Sequence, residues 1–554
     1  MNRRWTISSI LSCLLMLGLL DVLVPPSYGS TYVVYIPLDS PIYEELETLN
    51  ALGYLDTYID EIKPISRVEA ARLTVEAGAI LEQQERTSDG LASALVRNLR
   101  EQLAREVGWI DNDEENDQPT MIQPVQRLEL QYIFSRGDKR HWDSINGPAG
   151  LHAAEGAPLL PNNDGLPTAP GSNEIVRLSG WGGLGGFLTF YGEGAAAGPF
   201  TRGMPDASRL RALGTAVVAS FGNSAISLGT EEMSWGLGHF TGLSQSNNAQ
   251  PFPALRWQNV HPSLLPWVFR YLGQFRYQVF FGQLDDNRYF AHPWIDGQIV
   301  SFKPLPSFEF GFNHTIDFGG RHNDNYSVPG FIGRATGFAT GNPTGANTNS
   351  RAGAYAKLTV RQLRRTQLYA EILGEDFYQP FGRNPPIKTP FKSPSYTFGV
   401  YTPRLTADGL TDAGAEYTLL DKNYETHDDS LYWTYQNGLM ADPLGPAAWR
   451  VNAQVGRWIN YQNKVSVEFF LERRSLFPLF AKTGDNENGL GGALDLLSLP
   501  FQIHQLGGAL GEVHGRVAAE YVQSPNYVTA AHTVRLLFFF SGSLQPNWWS
   551  WAWR

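Results

Sequence analysis

The chain has 554 residues, a formal net charge of -11, 13% aromatic and only 18% charged residues, 56 glycines and a single cysteine, Cys13. An average soluble domain carries about 25% charged residues, and few charges with many aromatics and glycines point to strand and turn rather than to a helical enzyme. The acidic balance argues against a nucleic-acid partner, which leaves a basic footprint; the aromatic content excludes disorder and the lone cysteine excludes a disulfide scaffold.

Arg3 and Arg4 precede an apolar stretch over residues 7–20, and Ser27-Tyr28-Gly29 supplies small residues for a signal peptidase. This pattern predicts a secretory signal peptide over residues 1–29. The apolar run is shorter than the ~20 residues a spanning helix needs. Acylation at Cys13 would leave residues 14–20 as an exposed apolar start, which disfavours a lipoprotein.

Residues 30–110 read as a small helical bundle. Ser40-Pro41 forms an N-cap followed by proline at the first helical position. Tyr43, Leu46 and Leu49 then repeat at helical spacing, and Gly53 supplies the stop. Ser66-Arg67-Val68-Glu69 matches a capping box, opening a second helix marked by Leu73, Ala77 and Ile80. Leu91, Leu95, Leu99 and Leu103 mark a third, ending near Gly108. Residues 111–123, with Asp111, Asp113, Glu114, Glu115 and Asp117, read as a solvated acidic linker.

From Pro124 the period changes to two. Leu128, Leu130, Tyr132 and Phe134 alternate with Arg127, Glu129 and Gln131, which places them on opposite faces of a strand. The same alternation recurs with Phe275, Tyr277, Val279 and Phe281, with Trp449, Val451, Ala453 and Val455, and with Val465, Val467, Phe469 and Leu471. It returns with Val513, Val517, Ala519 and Tyr521 and with Val534, Leu536, Phe538 and Phe540. These strands have the length of tilted membrane strands and carry polar residues on their second face, so residues 124–554 are expected to form a transmembrane antiparallel β-barrel. About 430 residues at roughly 22–26 per strand give ~16–20 strands. Tyr396, Trp433, Trp458 and Tyr461 are expected in interfacial girdles. Residues 144–172, 319–351, 422–446 and 483–505 read as long connections, which in barrels face outside.

Nothing points to catalysis. Residues 192–197 match a loose dinucleotide fingerprint but run into Gly198-Pro199 and read as a turn, not as the start of a helix. The 11 histidines lack paired spacing, so no metal site is expected. Glu231 and Glu232 are strand neighbours, which point to opposite faces and cannot be a facing carboxylate pair. The expectation is a non-enzymatic protein with no catalytic, cofactor or metal site.

One segment concentrates unusual residues: Trp235-Gly236-Leu237-Gly238, then Leu243-Ser244-Gln245-Ser246-Asn247-Asn248-Ala249-Gln250-Pro251-Phe252-Pro253. Its amides, hydroxyls and indole suit either a polar plug or a sugar, which offers hydroxyls to bond and ring faces to stack. The segment resembles the hallmark region of the capsule assembly protein Wzi family, with Trp235, Gly236, Gly238, Ser244, Asn247, Asn248, Ala249 and Pro251 as the motif residues. The helical start, with Pro37-Leu38, Tyr43, Leu46, Leu49, Gly53 and Pro64-Ile65-Ser66-Arg67, resembles the same family, and the motif likeness covers roughly residues 35–256. Leu237 where the family often has proline, the extra Ser246, and the tail Trp548-Trp549-Ser550-Trp551-Ala552-Trp553-Arg554 depart from it. The tail leaves two candidates for the closing strand, residues 533–540 or the tryptophans.

The resemblance implies an outer-membrane barrel of about eighteen antiparallel strands with a periplasmic helical bundle. It implies a surface lectin that retains capsular or extracellular polysaccharide, with outer-membrane lipid around it and other polysaccharide export proteins as possible partners. The motif is expected to be either structural or polysaccharide-facing, with the structural role favoured. The competing reading is a carbohydrate-selective porin held to peptidoglycan by a helical domain loosely reminiscent of S-layer-homology modules.

Overall fold

The structure, a computed structural model, describes residues 31–83, 89–112, 118–142, 153–155, 157–166, 168–198, 209–323, 348–375, 393–425, 431–475, 486–546 and 550–553. The expected signal peptide and residues 113–117 of the acidic run lie outside the described residues.

Among the described residues four helices come first: α1 (Pro41–Leu52), α2 (Arg67–Gln83), α3 (Gly90–Gln102) and α4 (Ala104–Asp111). The Ser40 hydroxyl accepts from the Ile42 N–H, and Gly53 ends α1 at φ 84°, where a Cβ would be strained. At Ser66 only half of the expected capping box forms. The Glu69 N–H donates to Ser66 Oγ at 3.1 Å, but the Glu69 carboxylate turns to Arg72 and His261. The expected third helix is two, because Leu103 leaves helical geometry at φ -112°, ψ 22°. The break lets Glu106 reach Arg67 at 2.9 Å and brings Trp109 against Tyr32. Leu46, Leu49, Leu95 and Leu99 form the bundle core, and Trp458 and Leu499 of the barrel belong to the same cluster.

Eighteen long strands among the described residues close a barrel: β1 (Thr120–Arg136), β2 (Gly171–Leu184), β3 (Leu188–Ala197), β4 (Leu210–Phe221), β5 (Ser224–Thr230), β6 (Pro253–Asn259), β7 (Gln274–Gln283), β8 (Trp294–Leu305), β9 (Phe308–Phe318), β10 (Thr348–Val360), β11 (Thr366–Glu375), β12 (Pro394–Thr402), β13 (Thr411–Leu420), β14 (Ala448–Ile459), β15 (Asn463–Ser475), β16 (Asn486–Ile503), β17 (Ala509–Gln523) and β18 (His532–Gln545). Each pairs antiparallel with its sequence neighbours, and β18 returns to β1. Both candidates for closure contribute. Residues 536–544 pair with 128–136, and residues 551–553 continue the seam against 120–122.

The wall is predominantly apolar outside and polar inside, with the outward-facing Asp296, Gln298 and His314 of β8 and β9 buried as local exceptions. Leu130, Leu228, Phe469, Leu490 and Phe538 are exposed on the outer face, whereas Glu129, Arg177, Gln278, Arg351 and Arg450 are buried in the lumen. A water-soluble fold does not expose such a belt, whereas a lipid-embedded barrel requires it. Among the described residues no helix is long and apolar enough to cross a membrane. Most connections at one end are short, among them residues 185–187, 222–223, 306–307, 361–365 and 460–462, with 260–273 the longest there among the described residues, and the helices pack at this end. Those at the other end include residues 137–170, 319–347 and 421–447.

Three expectations are corrected. Residues 192–197 are strand rather than turn, since their small side chains fit β3 and Glu193 faces inward to Arg177. Residues 486–503, expected within a long connection, form β16, whose Leu490, Leu494 and Leu496 lie on the outer face. Trp433 and Trp458 are buried inside rather than placed in girdles: Arg351 lies 4.1 Å above the Trp433 ring, and Trp458 packs with the helical core.

Because the long β1–β18 seam closes the barrel without the tail, deleting residues 546–554 should preserve a heat-modifiable barrel. Losing a stabilisation of order 1 kcal/mol would lower its melting temperature by only about 1 °C in a barrel of this size. Truncation before His532 should abolish the heat-modifiable form.

Candidate functional site

The lumen is filled from both ends by the chain itself. From the helical end, residues 31–66 run against the inner wall. Arg127 donates to Asp39 at 2.8 Å, Lys464 to Glu44 at 2.6 Å, and Lys357 to Asp60 at 2.6 Å. Lys303 donates to the Tyr58 carbonyl at 2.6 Å. His261, just beyond β6, lies 2.6 Å from Glu69. Burial raises the Asp39 and Glu69 carboxyls, but the facing arginines outweigh it. Arg127 and Arg177 bring Asp39 down to about 2, and Arg72 with the His261 contact brings Glu69 to about 2.

From the other end, residues 231–252 fold into the lumen. Ile62 pairs with Trp235 and Lys63 with Ser234, so this segment meets the N-terminal one as a short antiparallel ladder. Trp235 is fully buried; its indole N–H donates to Gln278 at 2.6 Å and its ring lies 5.2 Å from Phe280. It offers no open stacking face. Gly236 sits at φ 132° with Glu371 so close that a Cβ would lie 2.8 Å from its oxygen, a position only glycine fills without strain. Glu371 of β11 accepts from the Leu237 and Gly238 N–H groups, and Glu416 of β13 accepts from the His239 N–H at 2.9 Å. Two wall carboxylates therefore satisfy the backbone at the Trp-Gly turn.

The remaining motif residues hold this segment to two long connections and, through Ser244, to the wall strand β9. The Ser246 hydroxyl donates to the Ala441 carbonyl at 2.6 Å, and its N–H to Met440 at 2.8 Å. Asn247 donates to the Asn162 carbonyl and the Asp164 carboxylate, both at 3.0 Å. Asn248 donates to the Leu439 carbonyl at 3.3 Å, and Ser244 to Asn313 at 3.3 Å. Ala249 packs in the cluster of Trp235, Phe252, Trp433 and Met440, and Pro251 is half-buried beside it. The motif is thus brought together as a single buried layer. Its wall partners Glu371, Glu416 and Arg351, whose guanidinium donates to the Ser244 carbonyl, are not legible beforehand, although inward alternation along their strands is the available signal.

Between the two plugs lies a polar cavity of about 460 Å³, lined among others by Arg140, Arg450, Arg516, Glu468, Glu472 and Asp495. That volume lies within the ~300–1,000 Å³ of small-molecule sites. Its charges pair: Arg516 with Glu468 at 2.7 Å and Asp495 at 2.8 Å, and Arg450 with Asp442 at 3.1 Å. Glu231 and Glu232 are likewise taken up, by Arg256 at 2.7 Å and by the Leu38 N–H at 2.7 Å. Asp60, Glu61 and Glu309 bring oxygens within 4.8 Å of one another, but the Lys357 ammonium already bonds Asp60 and Glu309.

An antiparallel barrel with an apolar outer belt and a lumen closed by its own segments is a plugged outer-membrane-type barrel. The family model described as capsule assembly protein Wzi matches residues 140–497. The chain belongs to that family. It is also similar to a solved structure described as Wzi, an outer membrane protein involved in group 1 capsule assembly in Escherichia coli and a carbohydrate-binding β-barrel. The two share 15% identity over 91% of this chain and 98% of that one, with a TM-score of 0.63, which shows a common fold. Pseudomonas aeruginosa OprD follows at 8% identity over 77% of this chain and 95% of that one, with a TM-score of 0.41. Acinetobacter baumannii OccAB1 gives 9%, 76%, 96% and 0.40. No curated protein sequence matches the chain.

The depressed carboxyls at Asp39 and Glu69 give a pH dependence with a fixed sign. Their stabilisation is complete above the unfolded values of 3.8 and 4.5 and is lost as pH falls toward about 2. Protease cleavage within residues 31–111 should therefore rise between pH 4.5 and 2 while the barrel stays heat-modifiable, and Glu69→Gln should show a smaller rise.

Proposed function

We propose that this outer-membrane barrel binds capsular or extracellular polysaccharide at the end bearing the long connections and helps to retain it on the cell. The role is non-enzymatic, with the helical bundle in the periplasm, the long connections at the cell surface, and other polysaccharide export proteins as candidate partners. The observation that carries this reading is the filled lumen in a member of the capsule assembly family. Plugs that pair with the wall at both ends suit a rigid surface platform and give the porin reading no support. Loops on a rigid scaffold are where variable recognition usually resides, and the barrel supplies that scaffold.

The motif, in this reading, is structural: Trp235, Ser246, Asn247 and Asn248 fasten the plug, and polysaccharide contacts lie on the connections above it. Removal of a buried tryptophan side chain costs about 3–5 kcal/mol. Trp235→Ala is thus expected to loosen the plug and lower barrel stability, with retention falling only as assembly falls. A Trp235→Ala protein that assembles normally at full level yet loses retention would assign the motif to binding instead. In cells, deleting the gene should shift polysaccharide from the cell-attached to the released fraction with total synthesis unchanged; an unaltered ratio would refute the retention role.

A further inference from the structure

The outer wall is bare apolar surface over many of the described strands, but a patch on β7 and β8 is covered by a described connection of the chain itself. On β7 and β8, Phe275, Tyr277, Val300 and Phe302 are 0–1% exposed. They face outward: Arg276, between Phe275 and Tyr277, points the other way and reaches the lumenal Ile59 and Pro64 carbonyls at 3.4 and 3.5 Å. The cover is the connection 260–273. Ser263 and Leu264 pair with Phe275 and Gln274, prolonging the sheet. A single 3-10 helix, Trp267–Leu272, follows, and Gly273 returns the chain at φ 76°, where a Cβ would lie 2.0 Å from the Lys303 carbonyl oxygen. Leu265, Phe269 and Leu272 pack onto the covered wall residues in one cluster.

The opposite face of this helix is apolar too. Trp267 is 73%, Val268 69% and Tyr271 76% exposed, and Leu264 and Leu305 continue the same surface. The Arg270 guanidinium lies 5.5 Å from the Tyr271 ring. A hairpin that covers apolar wall and then presents fresh apolar surface has not been built to shield the barrel from water. Its surface is continuous with the lipid-facing belt at the level where β8 ends. Trp, Tyr and Arg are the side chains that favour the boundary between acyl chains and headgroups. An amphipathic segment lying in that plane binds by burying its apolar face there.

We propose that Trp267, Val268 and Tyr271 form a membrane-interface anchor, seated in the headgroup–acyl boundary of the leaflet facing the short-turn end. The anchor fixes how deep that side of the barrel sits. It depends on membrane insertion alone and is independent of the polysaccharide reading.

The test uses the full-length barrel in phosphatidylcholine–phosphatidylglycerol vesicles, with an environment-sensitive fluorophore on Val268→Cys and quenching by nitroxide lipids of graded depth. The anchor predicts blue-shifted emission and at least two-fold quenching, strongest with the shallow nitroxides. The same label on Asp111→Cys, exposed at the end of α4, should stay unquenched. Water-like emission without quenching at position 268 would overturn the proposal and leave the patch to a protein partner. A blue shift that rises with protein density but is insensitive to nitroxide lipid would also overturn it, in favour of a second copy. Tyr271→Cys provides the same readout should Val268→Cys fail to assemble.

Discussion

The pairing of lumenal wall cations with carboxylates on the N-terminal segment is the interaction on which the rest of the structure depends. Arg127 with Asp39, Lys464 with Glu44 and Lys357 with Asp60 join a strand wall to a segment that precedes it by tens to hundreds of residues. The wall cations are only 7–12% exposed while their carboxylates are 16–34% exposed. An unpaired buried cation costs about 3–5 kcal/mol, and solvent screening reduces that figure at the more exposed Asp39 and Glu44. The filled lumen and the inward-facing arginines and lysines stabilise one another. A barrel in lipid must turn its apolar side chains outward, so the polar ones have nowhere to go but the lumen. There they are satisfied either by water or by protein, and in this chain protein supplies much of the answer.

The same constraint explains why the Trp-Gly motif looks as it does. Glu371 and Glu416 are inward-facing buried strand residues; the Leu237 and Gly238 N–H groups satisfy Glu371, and the His239 N–H joins the Tyr369 hydroxyl in satisfying Glu416. Close approach of backbone to carboxylate requires the missing side chain at Gly236. The short ladder between Trp235 and Ile62 then couples the two plugs, so the upper plug is positioned by the lower one. A scaffold fastened in this way holds its long connections without needing a regular strand to carry them.

Much of this was legible in the sequence because it rests on local periodicity. The alternation at residues 127–134 places Glu129 inside and Leu130 outside, and Ser40-Pro41 marks the first helix start. What was not legible rests on partners distant in the chain. Gly and Ala are poor strand formers, so residues 192–197 read as a turn until the neighbouring strands and the Arg177–Glu193 pair hold them extended. Leu103 keeps the leucine spacing while its backbone breaks the helix, and the break accompanies the Arg67–Glu106 pair. Trp433 and Trp458 have girdle composition but lumenal partners. Phe275 and Tyr277 alternate correctly, yet only the fold reveals that residues 260–273 lie over them. The motif's residues were identifiable, but its role turns on Glu371 and Glu416, which no local pattern connects to it.

The central claim is that the lumen is sealed by the chain's own segments, and planar-bilayer conductance tests it most directly. The intact barrel should insert without a steady open-channel current, and disrupting the lower plug with Lys357→Ala plus Lys464→Ala should produce channel openings. A stable, ohmic conductance from the unaltered protein would contradict the account.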